Sequence, residues 1–174
     1  MTGRVFMDKE PYVDATVLLY DPKLHLRKQT RSILNIIGFW QIEECENLED
    51  AATSLRGHRS DLAIFAVQDR QDGVAELVND VRRFRCGDDP FLPIILTSWD
   101  GRLRLIRSII NSGADYFLVN PYSTKDLGER INALVSHRKP FVVSEAYFGP
   151  DRRTLQARAG DAGTVDVPNA LRAR

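Results

Sequence analysis

Three polar side chains stand where short apolar runs end, and they are the residues of this sequence best placed to do chemistry. Asp21 follows "TVLLY", Thr97 closes "PIILT", and Asn120 follows "DYFLV" just ahead of Pro121. A fourth run, "DLAIFA", ends at Ala66. A carboxylate, a hydroxyl and an amide gathered at one end of a sheet could hold an ion or a small polar group. Covalent chemistry at the fourth position needs a carboxylate, thiol or hydroxyl, and Ala66 carries a methyl. The nearest acids, Asp69 and Asp72, fall in "VQDRQDG", which reads as a solvated turn with Gly73 supplying backbone freedom. Recruiting either as a nucleophile would push "LAIFAV" out of register with the sheet. Cys45 and Cys86 have no second Cys close enough for a zinc pair, and two cysteines make no disulfide framework, so reduced thiols are expected. No cofactor and no metal is expected.

The elements that must position these residues alternate. "ATVLLY" is an apolar run of strand length, and Leu26, Thr30, Ile33, Leu34 and Ile37 then form one helix face that stops at Gly38. "WQIEE" is a more polar strand, and Asn47 can cap the helix "LEDAATSLRG", which has acids in its first turn. Leu62–Ala66 is the third strand, backed by a helix with Val74, Leu77, Val78 and Val81 inward. "PIILT" opens at Pro93, and Ile106, Ile109 and Ile110 give the stripe of a fourth helix. Asp115–Val119 is a fifth strand, and after Pro121 a helix capped by Ser123 or Thr124 turns Leu127, Ile131, Leu134 and Val135 inward.

Strands apolar on both faces and alternating with helices predict an α/β fold, a doubly wound parallel sheet with right-handed crossovers. Five units suggest the strand order 2-1-3-4-5, with the ligand crevice at the carboxyl ends of strands 1 and 3, where Asp21 and Ala66 stand. The turn "YDPKLH" lacks a glycine-rich phosphate loop. Residues 1–14 read as an N-terminal arm and 15–138 as the domain. Residues 139–174 read as a C-terminal extension, with 139–153 docked and 154–174 flexible.

The 174 residues balance 24 Lys and Arg against 24 Asp and Glu, so no bulk field draws the chain to nucleic acid or to an anionic membrane. The longest apolar run, Leu62–Val67, is far short of the roughly 20 residues of a membrane span. The N-terminus lacks the unbroken apolar segment of a signal peptide. A cytoplasmic protein without a membrane partner is expected, and the extension is too short for a DNA-binding output domain with its own core.

Taken in order, "VLLYDP", "DLAIFAVQDRQDG", "PIILTS" and "SGADYFLVNPYSTKDL" resemble the receiver (CheY-like) domain of two-component response regulators over about Ala15 to His137. That resemblance implies a fold in which an aspartate at the end of strand 3 accepts a phosphoryl group from a histidine kinase. Two acids after strand 1 help hold Mg²⁺, a hydroxyl after strand 4 contacts the phosphoryl group, and a Lys before a Pro pairs with it. Carried over, the acceptor falls on Ala66, the acid pair on Asp21 and Pro22, the hydroxyl on Thr97 and the lysine on Asn120. Only Asp21 and Thr97 survive, so the resemblance is to a degenerate pseudo-receiver. Its implied role is that of a protein-binding signalling adaptor in a bacterial two-component-type pathway.

Where such an adaptor binds is suggested by helix 4, strand 5 and helix 5, the face through which receivers signal. Phe117 takes the place of the family's switch aromatic. Leu103 and Leu105 lie off the expected helix 4 stripe beside Arg104, and with Tyr122 they form a candidate interface for a partner or a second copy. In the extension, Phe141, Tyr147 and Phe148 could dock on the domain or a partner subunit. Arg152 and Arg153 could instead bind an anion such as a cyclic dinucleotide, and "RAGD" (Arg158–Asp161) has the RxxD spacing of a cyclic-di-GMP contact.

Overall fold

Helical crossovers make the five main strands parallel: β1 (Thr16–Tyr20), β2 (Gln41–Cys45), β3 (Leu62–Ala66), β4 (Ile94–Ser98) and β5 (Tyr116–Val119). Between and after them run α1 (Leu24–Ile37), α2 (Leu48–Gly57), α3 (Val74–Arg82), α4 (Leu103–Ile110) and α5 (Thr124–Ser136). The structure, a computed structural model, describes residues 12–69, 71–153, 163–167 and 171. The sheet order is β2-β1-β3-β4-β5, the doubly wound arrangement expected.

Each helix starts and stops for a local reason. The Gly38 backbone, at φ 110°, closes α1 with its N–H on the Leu34 and Asn35 carbonyls. Asn47 accepts the Asp50 N–H at the head of α2, and Ser123 forms a reciprocal capping box with Asp126 at the head of α5.

Both sheet faces are covered. On one, Ala51 and Leu55 of α2, Val74, Val78 and Val81 of α3, and Leu105 and Ile109 of α4 pack on Leu18, Phe65 and Leu96. On the other, Ile33 and Leu34 of α1 and Leu127, Ile131 and Leu134 of α5 pack on Val17, Leu19 and Ile64. Tyr12, inside the expected N-terminal arm, stacks on Phe39 with ring centroids 4.5 Å apart.

Beyond α5 the chain makes β6 (Phe141–Val143), β7 (Phe148–Pro150) and β8 (Thr164–Val165), a small antiparallel sheet of order β7-β6-β8. Phe141 and Phe148 are buried and meet Phe91 edge to face, at centroid distances of 5.5 and 5.8 Å. The contact lies at the amino ends of β4 and β5, the end of the sheet away from Asp21 and Ala66. Most of residues 154–174, including Arg158–Asp161, lies outside the described residues, as do residues 1–11 of the arm.

No helix among the described residues is long and apolar enough to cross a membrane.

Candidate functional site

The crevice at the carboxyl ends of β1 and β3 is built by three strand ends. Asp21 follows β1, Ala66 ends β3, and Thr97 stands opposite Ala66 in the β3–β4 register. All three are buried, so strand pairing brings the expected residues together. Asn120 stands just past β5 at the same end of the sheet, its backbone N–H donating to the Ser98 carbonyl at 2.8 Å. Pro22 points no carboxylate anywhere and is exposed.

Asp21 is committed to its own loop. One carboxylate oxygen accepts the Lys23 N–H at 2.8 Å, and its carbonyl accepts Arg27 Nη1 at 2.6 Å. Burial pushes its carboxyl above the ordinary range, with the Lys23 N–H and the charges of Lys23 and Arg27 acting the other way. The Mg²⁺ implied by the receiver family does not fit this donor set. One carboxylate, already engaged, faces a methyl where the family has the acceptor, and Pro22 supplies no second acid. Among the described residues no three His, Cys, Asp or Glu side chains gather into a metal-holding group.

The loop acids are no substitute. Asp72 Oδ2 accepts the Gln68 N–H at 2.6 Å, its Oδ1 accepts the Val74 N–H at 3.0 Å, and Asp69 accepts the Gln71 N–H at 2.7 Å. These bonds fold the turn that starts α3. Above the strand ends, Lys23, Val67, Gln68, Trp99, Asp100 and Arg102 line a cavity of ≈ 350 Å³. Trp99 on this rim is half exposed and was not singled out in the sequence, although a large aromatic in the polar loop "SWDG" was its available signal.

The raised Asp21 carboxyl gives a signed expectation. The folded state holds this proton more tightly than the unfolded chain, so ionisation costs stability as pH rises from the usual carboxylate value through the raised one. Asp21→Asn keeps an oxygen for the Lys23 N–H and removes that cost. Its urea midpoint should therefore exceed wild type at neutral pH, and the two should converge as pH falls below the carboxylate range. A midpoint lower than wild type at neutral pH contradicts this description of Asp21.

Two residues of the expected interface are elsewhere. Leu105 is 4% exposed and belongs to the core with Ile109, whereas Ile106 and Ile110 are only half buried. The helix is rotated from the expected stripe because α4 starts at Leu103 and its i, i+4 pair 105/109 faces the sheet. Tyr122 is also core, packed with α1 and α5 residues, its hydroxyl 2.7 Å from Thr30 Oγ1. Leu103, at 67% exposure, and Arg104 remain on the surface. Phe117 is half buried and packs against the core beneath α4.

In the extension, the Tyr147 hydroxyl donates to the Pro150 carbonyl at 3.0 Å. Arg152 donates to the Ala114 carbonyl, and Arg153 pairs with Asp151 at 3.0 Å. Sequence reasoning missed the group these residues cover. Arg82 is fully buried, donating to the carbonyls of Gly113, Pro90 and Leu92 at 2.8 Å each and to Asp115 at 3.0 Å. Arg138 meets the same Asp115 at 3.2 Å, and the Phe141 ring lies near both guanidinium groups, 5.1 and 5.0 Å from its centroid. Burial draws the Arg82 pKa down to about 10, which leaves it a cation at neutral pH.

The sheet order and the crevice at its switch point are those of the flavodoxin-like fold that receiver domains share. Solved structures agree. A signal receiver domain of a two-component histidine kinase from Clostridium thermocellum matches with TM-score 0.58 at 23% identity, covering 70% of this chain and 97% of that one. The receiver domain of the sensor histidine kinase PA1611 of Pseudomonas aeruginosa, solved with magnesium in its active-site cleft, matches with TM-score 0.58 at 16% identity, covering 70% and 96%. A CheY-like receiver domain from Methanospirillum hungatei gives 0.57 at 22%, covering 68% and 90%.

In sequence, the chain is 29% identical over 136 residues to the two-component response regulator-like protein APRR4 of Arabidopsis thaliana. That match covers 75% of this chain, which spans only 44% of the relative. No family model matches the chain.

Proposed function

We propose that this chain is a pseudo-receiver: a signalling adaptor that undergoes no phosphoryl transfer, does no chemistry of its own, and binds a protein partner, a second copy included, through α4 and its surroundings. The methyl of Ala66 at the acceptor position carries the reading, because the carboxylate that remains at the strand ends, Asp21, stands at the family's metal-ligand position and is engaged by the Lys23 N–H. Asn120 in place of the lysine and Pro22 in place of the second acid remove the charges that would accompany one. The fold then acts through its surface.

That surface has a candidate. Leu103 is 67% exposed, Trp99 and Val119 are exposed on the neighbouring strand ends, and Gly101, two residues before Leu103, lies beside Val119, whose side chain an added Cβ would meet at 3.4 Å. Arg104 and Arg107 flank them on an α4 that has no acid in its first turn. Apolar anchors ringed by arginines suit a partner segment that is apolar and acidic. Leu103→Glu should abolish capture of the partner in a pull-down from the source cell, or lower the scattering mass if the partner is a second copy. The free energy of unfolding should stay within about 0.5 kcal/mol of wild type, as for other exposed positions. Unchanged capture and mass would remove α4 from the interface.

The crevice supports a second reading, a small-ligand sensor, since the ≈ 350 Å³ cavity carries Lys23, the ion pair of Arg102 with Asp100 and the ring of Trp99. Calorimetry against cyclic dinucleotides tests it, with saturable heat lost in Lys23→Ala as the supporting result.

A further inference from the structure

We propose that the C-terminal extension, residues 139–153, is a clamp on the end of α4 that sets the position of the binding face. The inference rests on the reading of α4 as that face.

α4 is weakly held by its own sequence. It has eight residues, no side-chain cap at Arg102, and only Leu105 and Ile109 fully in the core. What fixes its carboxyl end comes from elsewhere. The turn that leaves α4, Asn111 to Ala114, is gripped from two sides. The Gly113 carbonyl accepts Arg82 Nε at 2.8 Å, and the Ala114 carbonyl accepts Arg152 of the extension. Between these bonds the β7 backbone lies directly on the turn. A Cβ on Gly149 would sit 2.6 Å from Gly113 Cα, and one on Gly113, where φ is 106°, would strike the Phe148 carbonyl and come within 2.9 Å of Arg82 Cγ. Both glycines are required by this contact.

The extension is in turn locked to the rest of the domain. Phe141 is wedged against Arg82 and Arg138, and Arg83 donates to the Glu145 carbonyl at 2.6 Å, while the Asp151 N–H closes the extension on itself at the Pro140 carbonyl, 2.7 Å away. A receiver-fold chain with no acceptor carboxylate cannot reposition α4 through chemistry at the crevice. Here the same helix is held from its opposite end, so any event that lifts the hairpin removes one of the two grips on that end and loosens α4.

Hydrogen exchange on the full chain tests this in Gly149→Ala and, as a variant that leaves the backbone contact intact, Arg152→Met. In the native state under conditions where β1 and β3 stay protected, amides of residues 103–114 should exchange about tenfold faster or more in Gly149→Ala, together with those of β6 and β7, and in the same direction in Arg152→Met. With Trp40 replaced by Phe, the emission of Trp99 should shift in parallel. Faster exchange confined to the hairpin overturns the clamp, as does acceleration of 103–114 only alongside β1 and β3. If Gly149→Ala does not fold, Arg152→Met decides by the same two outcomes. These measurements use the protein alone. Failure of the α4 interface itself would show separately, as unchanged partner capture by Leu103→Glu.

Discussion

Arg82→Ala should leave the chain at the edge of folding. The guanidinium is entirely buried, and its loss leaves the Asp115 carboxylate with only Arg138 and the Ile94 N–H and the carbonyls of Gly113, Pro90 and Leu92 without this donor. Breaking a buried ion pair by removing one partner costs about 3–5 kcal/mol. Unsatisfied buried carbonyls add to that, although not in simple sum. Set against a typical total of about 5–15 kcal/mol, little margin remains. Arg85→Ala is the internal comparison: Arg85 pairs with Asp80 at 3.5 Å on the surface, a contact worth about 1 kcal/mol or less. Urea denaturation followed by circular dichroism reads both. A loss for Arg82→Ala no larger than that for Arg85→Ala would mean that Arg82 is not buried and bonded as described.

Phe141→Ala should be nearly as severe. Its ring fills the space between Phe91 and Phe148 and lies against the guanidinium groups of Arg82 and Arg138. Truncating a buried phenylalanine costs about 3–5 kcal/mol, and here two cation–π contacts are lost as well. The variant should unfold in one transition at a lower urea midpoint, because the extension and the main sheet share this core. A change under about 1 kcal/mol, or a separate early transition with the main one unmoved, would show instead that residues 139–153 add nothing to the domain's stability.

Much of the framework could be read from the chain because it is set by local rules. Gly38 ends α1, Asn47 and Ser123 cap α2 and α5, and Leu62–Ala66 is a strand buried on both faces. The crevice residues Asp21, Ala66, Thr97 and Asn120 were identifiable because parallel strands in this order bring their carboxyl ends together. The errors lie where local signals are short or where long-range contacts decide. α4 offers eight positions, too few to fix the phase of its stripe, and a one-residue rotation moved Leu105 from surface to core. Tyr122 looked available for a partner until the fold set it beside Thr30, 92 residues away in sequence. Arg82 carries no sequence signal of burial, since a guanidinium at the end of a helix normally faces water and only three carbonyls from two loops, together with the Asp115 carboxylate, make the interior tolerable. β6 and β7 have three residues each, too few to show a period, so the aromatic residues announced the extension's packing before any strand pattern could.

The central claim is that the receiver fold here has lost its phosphoryl chemistry. Intact-mass measurement of the full chain after incubation with acetyl phosphate and Mg²⁺ tests it most directly. The chain should show no added phosphoryl group, whereas a canonical receiver treated in parallel should gain one. An acid-labile increase of one phosphoryl group, mapped by fragmentation to Asp21, Asp69 or Asp72, would contradict the account.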